Sequence, residues 1–382
     1  MKIAFIGQKG LPAKQGGIER HVEELSTRLA EAGLDVFVYS RPHYTGQKNK
    51  TYKGVKLINL PSLNTKHLDA ISHTLIATWH ALFCNYDVIH YHGVGPALLS
   101  WLPRILKPRT KVVATFHCLD RKHQKWNRLA KLMLALGERA TCRCPHQTIT
   151  VSKTLQKYCD YRFDKPTIYI PNGVSLSEQA ANNDILKEYN LSPGDYIFTA
   201  SRLVRHKGLH TLIEAYQKIT TDKKLVIAGA GANTYDYVQE LRQLAGDNKN
   251  IIFVGEQVNG NLRALFENAY LFVQPSETEG LSIALLEALA YGLPVITSDI
   301  EENLEATNGL ARQFISKDSA DLAKQLELAI NEPDKIKSEA LLAKQVIDKE
   351  YNWAKITEQT IGLYKKSQPS TFLTKLVRMN LK

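Results

Sequence analysis

Charged side chains in the second half of the chain have types and spacings that suit an extended phosphorylated ligand. Arg202 and Lys207 follow an apolar run, where a guanidinium and an ammonium can hold a diphosphate and offset its charge as it leaves. Glu279 and Glu287 lie eight residues apart. In one continuous helix they would stand about 12 Å apart along the axis, although Gly280 favours a loop position for Glu279. That spacing is too wide for a hydrolase pair and suits the two ends of one ligand. A solvated basic turn and an exposed helix residue are the alternative interpretations.

A glycine-rich loop in the first half runs from Gly7 to Gly17, between the predicted strand Lys2–Ile6 and a predicted helix. Backbone N–H groups and the helix dipole favour phosphate at such a position. The loop is neither Gly-x-Gly-x-x-Gly nor a P-loop, which argues against nicotinamide dinucleotide and P-loop nucleotide binding. Gly16 and Gly17 are candidate phosphate contacts, and a plain tight turn is the alternative.

Several histidines fall near predicted strand ends. His90 and His92 alternate on one strand and so share a face, and His117 and His123 follow the next strand. No cysteine or carboxylate completes a metal-ligand spacing. We therefore expect packed or polar-lined histidines and no metal.

Short apolar runs alternate with helical stretches along the whole chain, which predicts two doubly wound α/β domains. Three amphipathic helices, about Ser319–Asn331, Pro333–Lys349 and Trp353–Lys366, are expected to close the second domain. The predicted strands are Lys2–Ile6, Asp35–Ser40, Val55–Leu60, Val88–Tyr91, Lys111–Phe116 and Thr148–Val151, then Tyr196–Thr199, Lys224–Ile227, Ile251–Val254, Leu271–Gln274 and Pro294–Thr297.

The turn-forming cluster Pro171-Asn172-Gly173-Val174 marks the predicted domain junction. The expected domains are residues 1–172, residues 173–366 with the closing helices, and a basic amphipathic tail over 367–382. Ligands of open parallel sheets bind beyond the carboxyl ends of the strands, so we expect the two domains to face each other across a cleft.

Composition limits the function classes. The 382 residues are 44% hydrophobic and 23% charged, which excludes a disordered or collagen-like chain, and no run reaches the roughly 18 apolar residues of a membrane span. Residues 1–172 hold 26 Lys and Arg against 11 Asp and Glu, which predicts an anionic partner for the first half. Five cysteines without a Cys-x-x-Cys pair, and an N-terminus that reads as a strand and not a signal peptide, favour the cytoplasm.

The run Glu279-Gly280-Leu281-Ser282-Ile283-Ala284-Leu285-Leu286-Glu287 closely resembles the Glu-x-seven-Glu signature of retaining glycosyltransferases of family four, which have the GT-B fold. Ser201-Arg202-Leu203 with Lys207-Gly208, the junction turn, and Gly16-Gly17-Ile18-Glu19 are also similar to that family and occur in the same order. The resemblance spans residues 2–365. More narrowly, Gly7–Glu24 and His117–Trp126 resemble the rhamnosyltransferase-like N-terminal domain of bacterial polysaccharide-assembly enzymes.

The resemblance implies a role for each matching residue. Glu279 would hold donor-sugar hydroxyls, Glu287 the nucleotide ribose, and Arg202 with Lys207 the diphosphate, while His117 would lie near the transferred sugar. The implied catalytic residues are Glu279, His117, Arg202 and Lys207. The implied donor-binding residues are Gly16, Gly17, Arg202, Lys207, Glu279, Gly280, Leu281 and Glu287, and the implied acceptor-side residues are Asp120, Arg121 and Lys122. Neither a metal nor another cofactor is implied.

The resemblance thus implies a hexosyltransferase, rhamnosyl among the alternatives, that moves a sugar from a nucleotide-diphosphate donor to a lipid-linked glycan with retention of configuration. Its first domain would contact the anionic inner membrane, and nucleic acid is not expected as a partner. The alternatives are a sugar-nucleotide epimerase of the same fold, and a carbohydrate- or nucleic-acid-binding protein without catalysis.

Overall fold

The computed structural model describes residues 1–14, 16–46, 50–65, 68–122, 128–176, 179–232 and 234–366. Two compact units divide the chain. The first takes in most of the chain up to Pro171 and the C-terminal segment from Trp353, and the second runs from Asn172 to Asn352. Within the described ranges, no helix combines the length and the apolar character that crossing a bilayer requires.

The first unit is built on an eight-stranded sheet with the order β3-β4-β2-β1-β5-β6-β7-β8. β3 pairs antiparallel with β4, and the other neighbouring strands are parallel. The strands are β1 Lys2–Ile6, β2 Asp35–Ser40, β3 Thr51–Tyr52, β4 Val55–Asn59, β5 Val88–His92, β6 Lys111–Phe116, β7 Gln147–Thr150 and β8 Ile168–Tyr169.

Helices cover both faces of this sheet. The helices up to the junction are α1 Gly17–Glu31, α2 Pro42–Thr45, α3 Asp69–Leu82, α4 Val94–Ala97, α5 Trp101–Leu106, α6 Arg128–Arg143 and α7 Lys153–Phe163. Alternation along β1 sends Ile3 and Phe5 into a core with α1, and Ala4 and Ile6 into a core with α3 and α4.

The second unit is built on a six-stranded parallel sheet with the order β11-β10-β9-β12-β13-β14. Its strands are β9 Tyr196–Ala200, β10 Lys224–Ala228, β11 Ile251–Gly255, β12 Leu271–Gln274, β13 Val295–Ser298 and β14 Arg312–Phe314. Its helices are α8 Asp184–Glu188, α9 Leu209–Tyr216, α10 Tyr235–Ala245, α11 Asn259–Glu267, α12 Ile283–Ala290, α13 Glu301–Thr307, α14 Ser319–Asn331 and α15 Pro333–Glu350. Apolar residues of α9, α10 and α14 form a core of this unit with β9 and β10.

The last helix, α16 Trp353–Lys365, belongs to the first unit, so its predicted assignment to the second domain is wrong. Trp353, Ile356 and Leu363 pack into the β1 and α1 core. The buried ammonium of Lys111 donates to the carbonyls of Leu363 and Lys366 at the C-terminus of α16, where a cation is favoured. The predicted tail 367–382 lies outside the described residues.

Candidate functional site

Two loops meet at the carboxyl end of the second sheet, one after β9 and one after β12. Gly208 follows a short 3₁₀ turn, Arg205–Lys207, with φ at +67°, and a Cβ there would lie 1.9 Å from the Pro275 carbonyl oxygen. The Glu277 amide also donates to the His206 carbonyl at 2.8 Å. A glycine is therefore what lets the cationic loop approach the loop that carries the glutamates.

This approach places Lys207 against Glu279. The Lys207 Nζ to Glu279 Oε1 distance is 2.5 Å, and the two side chains are 13% and 9% exposed. Gln274 Nε2 and Ser276 Oγ also donate to the same Oε1, at 2.8 and 2.7 Å. Of the predicted residues, Lys207 and Glu279 are thus in direct contact.

Glu279 lies in the loop before α12, as Gly280 indicated. The helix begins only at Ile283, because Ser282 is its N-cap and accepts from the Leu285 amide. The distance along a continuous helix therefore does not describe this pair of glutamates.

The remaining predicted residues of this segment differ in burial. Gly280 and Leu281 are buried and Glu287 is half-buried on α12. The Leu281 carbonyl accepts a hydrogen bond from Asn172 Nδ2 at 3.1 Å. The sequence had marked Asn172 only as part of a turn, yet its amide fixes the backbone directly before the α12 cap.

The cations of the first loop are not equivalent. Arg202 is exposed, and within the described part of the chain its guanidinium has no ion-pair partner. Arg205, in contrast, pairs with Glu240 and lies 5.0 Å from the centre of the Tyr237 ring. Arg202 is therefore available to an anionic ligand, whereas Arg205 holds the loop on α10.

In the first unit, Gly16 caps α1 with φ at +101° and Gly17 begins the helix. A Cβ on Gly16 would lie 2.2 Å from Glu19 Oε2, and Glu19 Oε1 accepts from the Lys9 amide at 3.3 Å. The carboxylate of Glu19 thus already lies at the N-terminus of the helix, where an anion is stabilised. A phosphate at Gly16 and Gly17 stays a prediction, with Glu19 as its competitor.

His117 lies directly after β6 in a cluster of buried histidines. Its Nε2 is 3.2 Å from His92 Nδ1, and its ring is 4.9 Å from that of His21 on α1. Ligand nitrogens of His21, His92 and His117 lie within 4.8 Å of one another. The sequence had grouped His90 with these residues instead of His21, because helical α1 gave no sign of facing the strand ends.

His90 is occupied elsewhere, since its nitrogens contact the Tyr364 hydroxyl at 2.6 Å and the Thr115 hydroxyl at 2.7 Å. Burial, together with neighbouring histidines, holds the pKa values of His90, His92 and His117 well below the ordinary value. The three imidazoles are therefore neutral near pH 7. His123 lies outside the described residues, and the absence of a metal here stays a prediction.

The predicted acceptor-side residues follow His117 in a 3₁₀ turn, Asp120–Lys122. Arg121 donates to Glu138 Oε1 at 3.3 Å and to the Tyr158 hydroxyl at 3.1 Å, and Glu138 is buried. This hydrogen bond to Glu138 raises the pKa of Arg121. Arg121 thus compensates a buried carboxylate, which is a structural task, and the side chain of Lys122 lies outside the described residues.

Two family models match the chain. The model described as Glycosyltransferase Family 4 matches residues 15–178, and the model described as Glycosyl transferases group 1 matches residues 183–346. A phosphatidyl-myo-inositol mannosyltransferase of Mycolicibacterium smegmatis is 24% identical over 91% of this chain and 90% of its own length.

Solved structures resemble this chain over both units. The sucrose-phosphate synthase of Thermosynechococcus elongatus aligns over 96% of this chain and 98% of its own, with a TM-score of 0.81 and 22% identity. Anabaena HepE, solved in complex with UDP-glucose, aligns over 96% and 100% of the two chains, with a TM-score of 0.78 and 18% identity. The two doubly wound sheets are the Rossmann-like domains of the GT-B fold, as the sequence predicted.

Proposed function

Because models of glycosyltransferases match both halves of the chain, it belongs to the glycosyltransferases, and we propose that it transfers a hexose from a nucleotide-diphosphate donor to a hydroxyl of a glycan acceptor, with retention of configuration and without a metal. The observation that carries the proposal is the contact between Lys207 and Glu279 at the carboxyl end of the second sheet. One group is suited to phosphate and the other to sugar hydroxyls. Their contact places both chemistries within the reach of one nucleotide sugar.

Each side chain has a task in this reaction. An ammonium carries three N–H donors, so Lys207 can keep its bond to Glu279 and still donate to a phosphate oxygen. Arg202 is exposed and supplies a second cation for the diphosphate. Together they offset the charge that develops on the leaving group, which is the task a divalent cation performs in other enzymes.

The transfer step exchanges one bond at the anomeric carbon for another. The bond to the diphosphate oxygen breaks and its electron pair leaves with the nucleotide diphosphate. The acceptor hydroxyl oxygen bonds to the same face of the carbon, and its proton passes to the departing phosphate oxygen. Glu279 holds the sugar during this exchange, and His117 is the candidate catalytic residue of the first unit.

The acceptor of this reaction is proposed to be lipid-linked and to be reached at the inner face of the plasma membrane. Support comes from the relative named as a phosphatidyl-myo-inositol mannosyltransferase, and from exposed apolar side chains along α3. Ile71, Leu75 and Trp79 follow one another at four-residue spacing, and each is more than half exposed. The basic excess of the first half supplies attraction to anionic lipid.

The proposal is tested by thermal unfolding of the purified protein with UDP, GDP, ADP and dTDP and with sugar derivatives of each, EDTA being present throughout. A ligand that binds the folded state at a hundred times its Kd adds about 2.7 kcal/mol to the free energy of unfolding. We expect one nucleotide and its sugar derivative to raise the Tm in wild type. Lys207→Ala should lose both shifts, and Lys324→Ala, a change to an exposed lysine of α14, should keep them.

Incubation of the preferred nucleotide sugar with and without acceptor glycans separates the rival functions. Release of nucleotide diphosphate only when acceptor is present supports transfer, and NMR of the product gives its anomeric configuration. A change of the sugar without acceptor would identify an epimerase. The absence of any Tm shift across the panel would contradict the proposed donor site.

A further inference from the structure

The two oxygens of the Glu279 carboxylate have different surroundings. Oε1 accepts from Lys207 Nζ, Gln274 Nε2 and Ser276 Oγ, at 2.5, 2.8 and 2.7 Å. Within the described part of the chain, Oε2 accepts no hydrogen bond. One oxygen is thus saturated by the protein, and the other is left for a ligand.

The direction of each hydrogen bond around Oε1 follows from the inventory of protons. Gln274 Nε2 also donates to Ser276 Oγ at 2.7 Å, so its two N–H groups are both used. Ser276 has one hydroxyl proton, and because its oxygen already accepts from the amide, that proton goes to Glu279. The network therefore uses Oε1 of Glu279 as an acceptor only.

The donors cannot turn elsewhere. Gln274 is 2% exposed and Ser276 is fully buried, so water does not replace the carboxylate as their partner. The Ser298 hydroxyl donates to the Ser276 carbonyl at 2.5 Å, and Asn303 Nδ2 donates to that hydroxyl at 2.9 Å. β13 and α13 thereby fix the backbone that presents Ser276.

From these contacts we propose that Gln274 and Ser276 are positioning residues for Glu279: by occupying Oε1 before any ligand arrives, they make Oε2 the oxygen that receives hydroxyl groups of the donor sugar. The inference rests on the proposed function, because it assigns the sugar to Glu279. It adds that the nucleotide diphosphate is bound independently of this pair. Sugar recognition is therefore separable from nucleotide recognition.

The test uses calorimetric titration to compare the affinity for UDP with the affinity for UDP-glucose. The same comparison is made for GDP, ADP and dTDP and their sugar derivatives. Ser276→Ala and Gln274→Met each remove one donor to Oε1 at nearly constant volume. For the nucleotide and nucleotide sugar that bind wild type, each variant should lower the affinity for the nucleotide sugar about tenfold. This is the effect of one hydrogen bond to a charged group. The affinity of each variant for the nucleotide diphosphate should stay within twofold of wild type.

Thr307→Val is the matched control, because Thr307 is equally buried and its hydroxyl bonds to the Asn303 carbonyl without touching Glu279. It should leave both affinities unchanged. The positioning role would be overturned if the Ser276 and Gln274 variants lost equal affinity for the nucleotide and for the nucleotide sugar. It would also be overturned if they lost affinity for neither ligand. If instead Glu279→Gln retains the full preference for the nucleotide sugar, the assignment of the sugar to Glu279 fails, and the proposed function is what needs revision.

Discussion

At the scale of single residues, residue type singled out Lys207 and Glu279 as candidates, although the sequence did not predict their contact. Removing one member leaves a largely buried charge without its partner, so we expect Lys207→Met and Glu279→Gln each to destabilise the second unit by about 2 kcal/mol. The double variant should lose less than the sum, with a coupling free energy of about 1–2 kcal/mol. Urea unfolding followed by far-UV circular dichroism measures the cycle.

The exposed ion pair of Lys187 and Asp184 is the control for this cycle. Its side chains are 81% and 77% exposed, and solvent screening limits such pairs to less than about 0.5 kcal/mol. Additive effects of the Lys207 and Glu279 substitutions would show that their contact contributes nothing to stability. In that case their proximity would serve the ligand alone.

The sequence identifies some residues of the site and not others, because residue types differ in how strongly they indicate a functional role. Charged residues in a loop are visible in a sequence, and Lys207 and Glu279 were found that way. Gln274 is the last residue of a buried strand, where its amide looks like any other strand end. His21 lies on the helix that also carries Val22 and Leu25, so its burial was readable but its histidine neighbours were not.

At the scale of elements, the buried strands were the most predictable part of the fold. β1, β2, β6 and β12 have the predicted bounds, because a parallel strand covered on both faces is a short continuous apolar run. The short strands β3, β8 and β14 are not among the predicted strands, since two or three residues carry no pattern. The bounds of α16 were predicted to within a residue. Its amphipathic pattern does not show which sheet it covers, because that depends on its contacts with Lys111 and with the core around β1.

The outer face of α3 carries a prediction of its own. Ala77 and Ala81 pack inward, whereas Trp79 and Phe83 are 59% and 75% exposed, and aromatic rings of this kind prefer a membrane interface. Trp79→Ala with Phe83→Ala should lower binding to vesicles that contain anionic lipid by at least tenfold in a sedimentation assay, at about 25 cal/mol per Å² of apolar surface. Tyr161→Ala removes an aromatic side chain that is 94% exposed on α7 and should change nothing. Equal sedimentation of all three proteins would rule out α3 as the contact.

At the scale of the whole molecule, ionisable groups are distributed unevenly between the units. Burial lowers the pKa of His73 and of His146 to about 4, and the histidines beside His117 are also held neutral. All of these belong to the first unit. The sequence between residues 172 and 352 contains two histidines, so acid should act mainly on the first unit.

The sign of the effect follows from proton binding. A histidine takes up a proton near pH 6.5 when unfolded and only near pH 4 in the folded unit, so its contribution to stability is complete above pH 6.5 and is lost as the pH falls towards 4. For His73 the loss amounts to roughly 3 kcal/mol.

Because no tryptophan occurs between residues 172 and 352, tryptophan fluorescence reports on the first unit alone. We expect the urea midpoint from fluorescence to fall steeply from pH 6.5 to 5, while the second unit, followed by calorimetry with bound nucleotide, changes little. His73→Leu should make the fluorescence midpoint less dependent on pH, and parallel pH dependence of both probes in wild type would contradict this division.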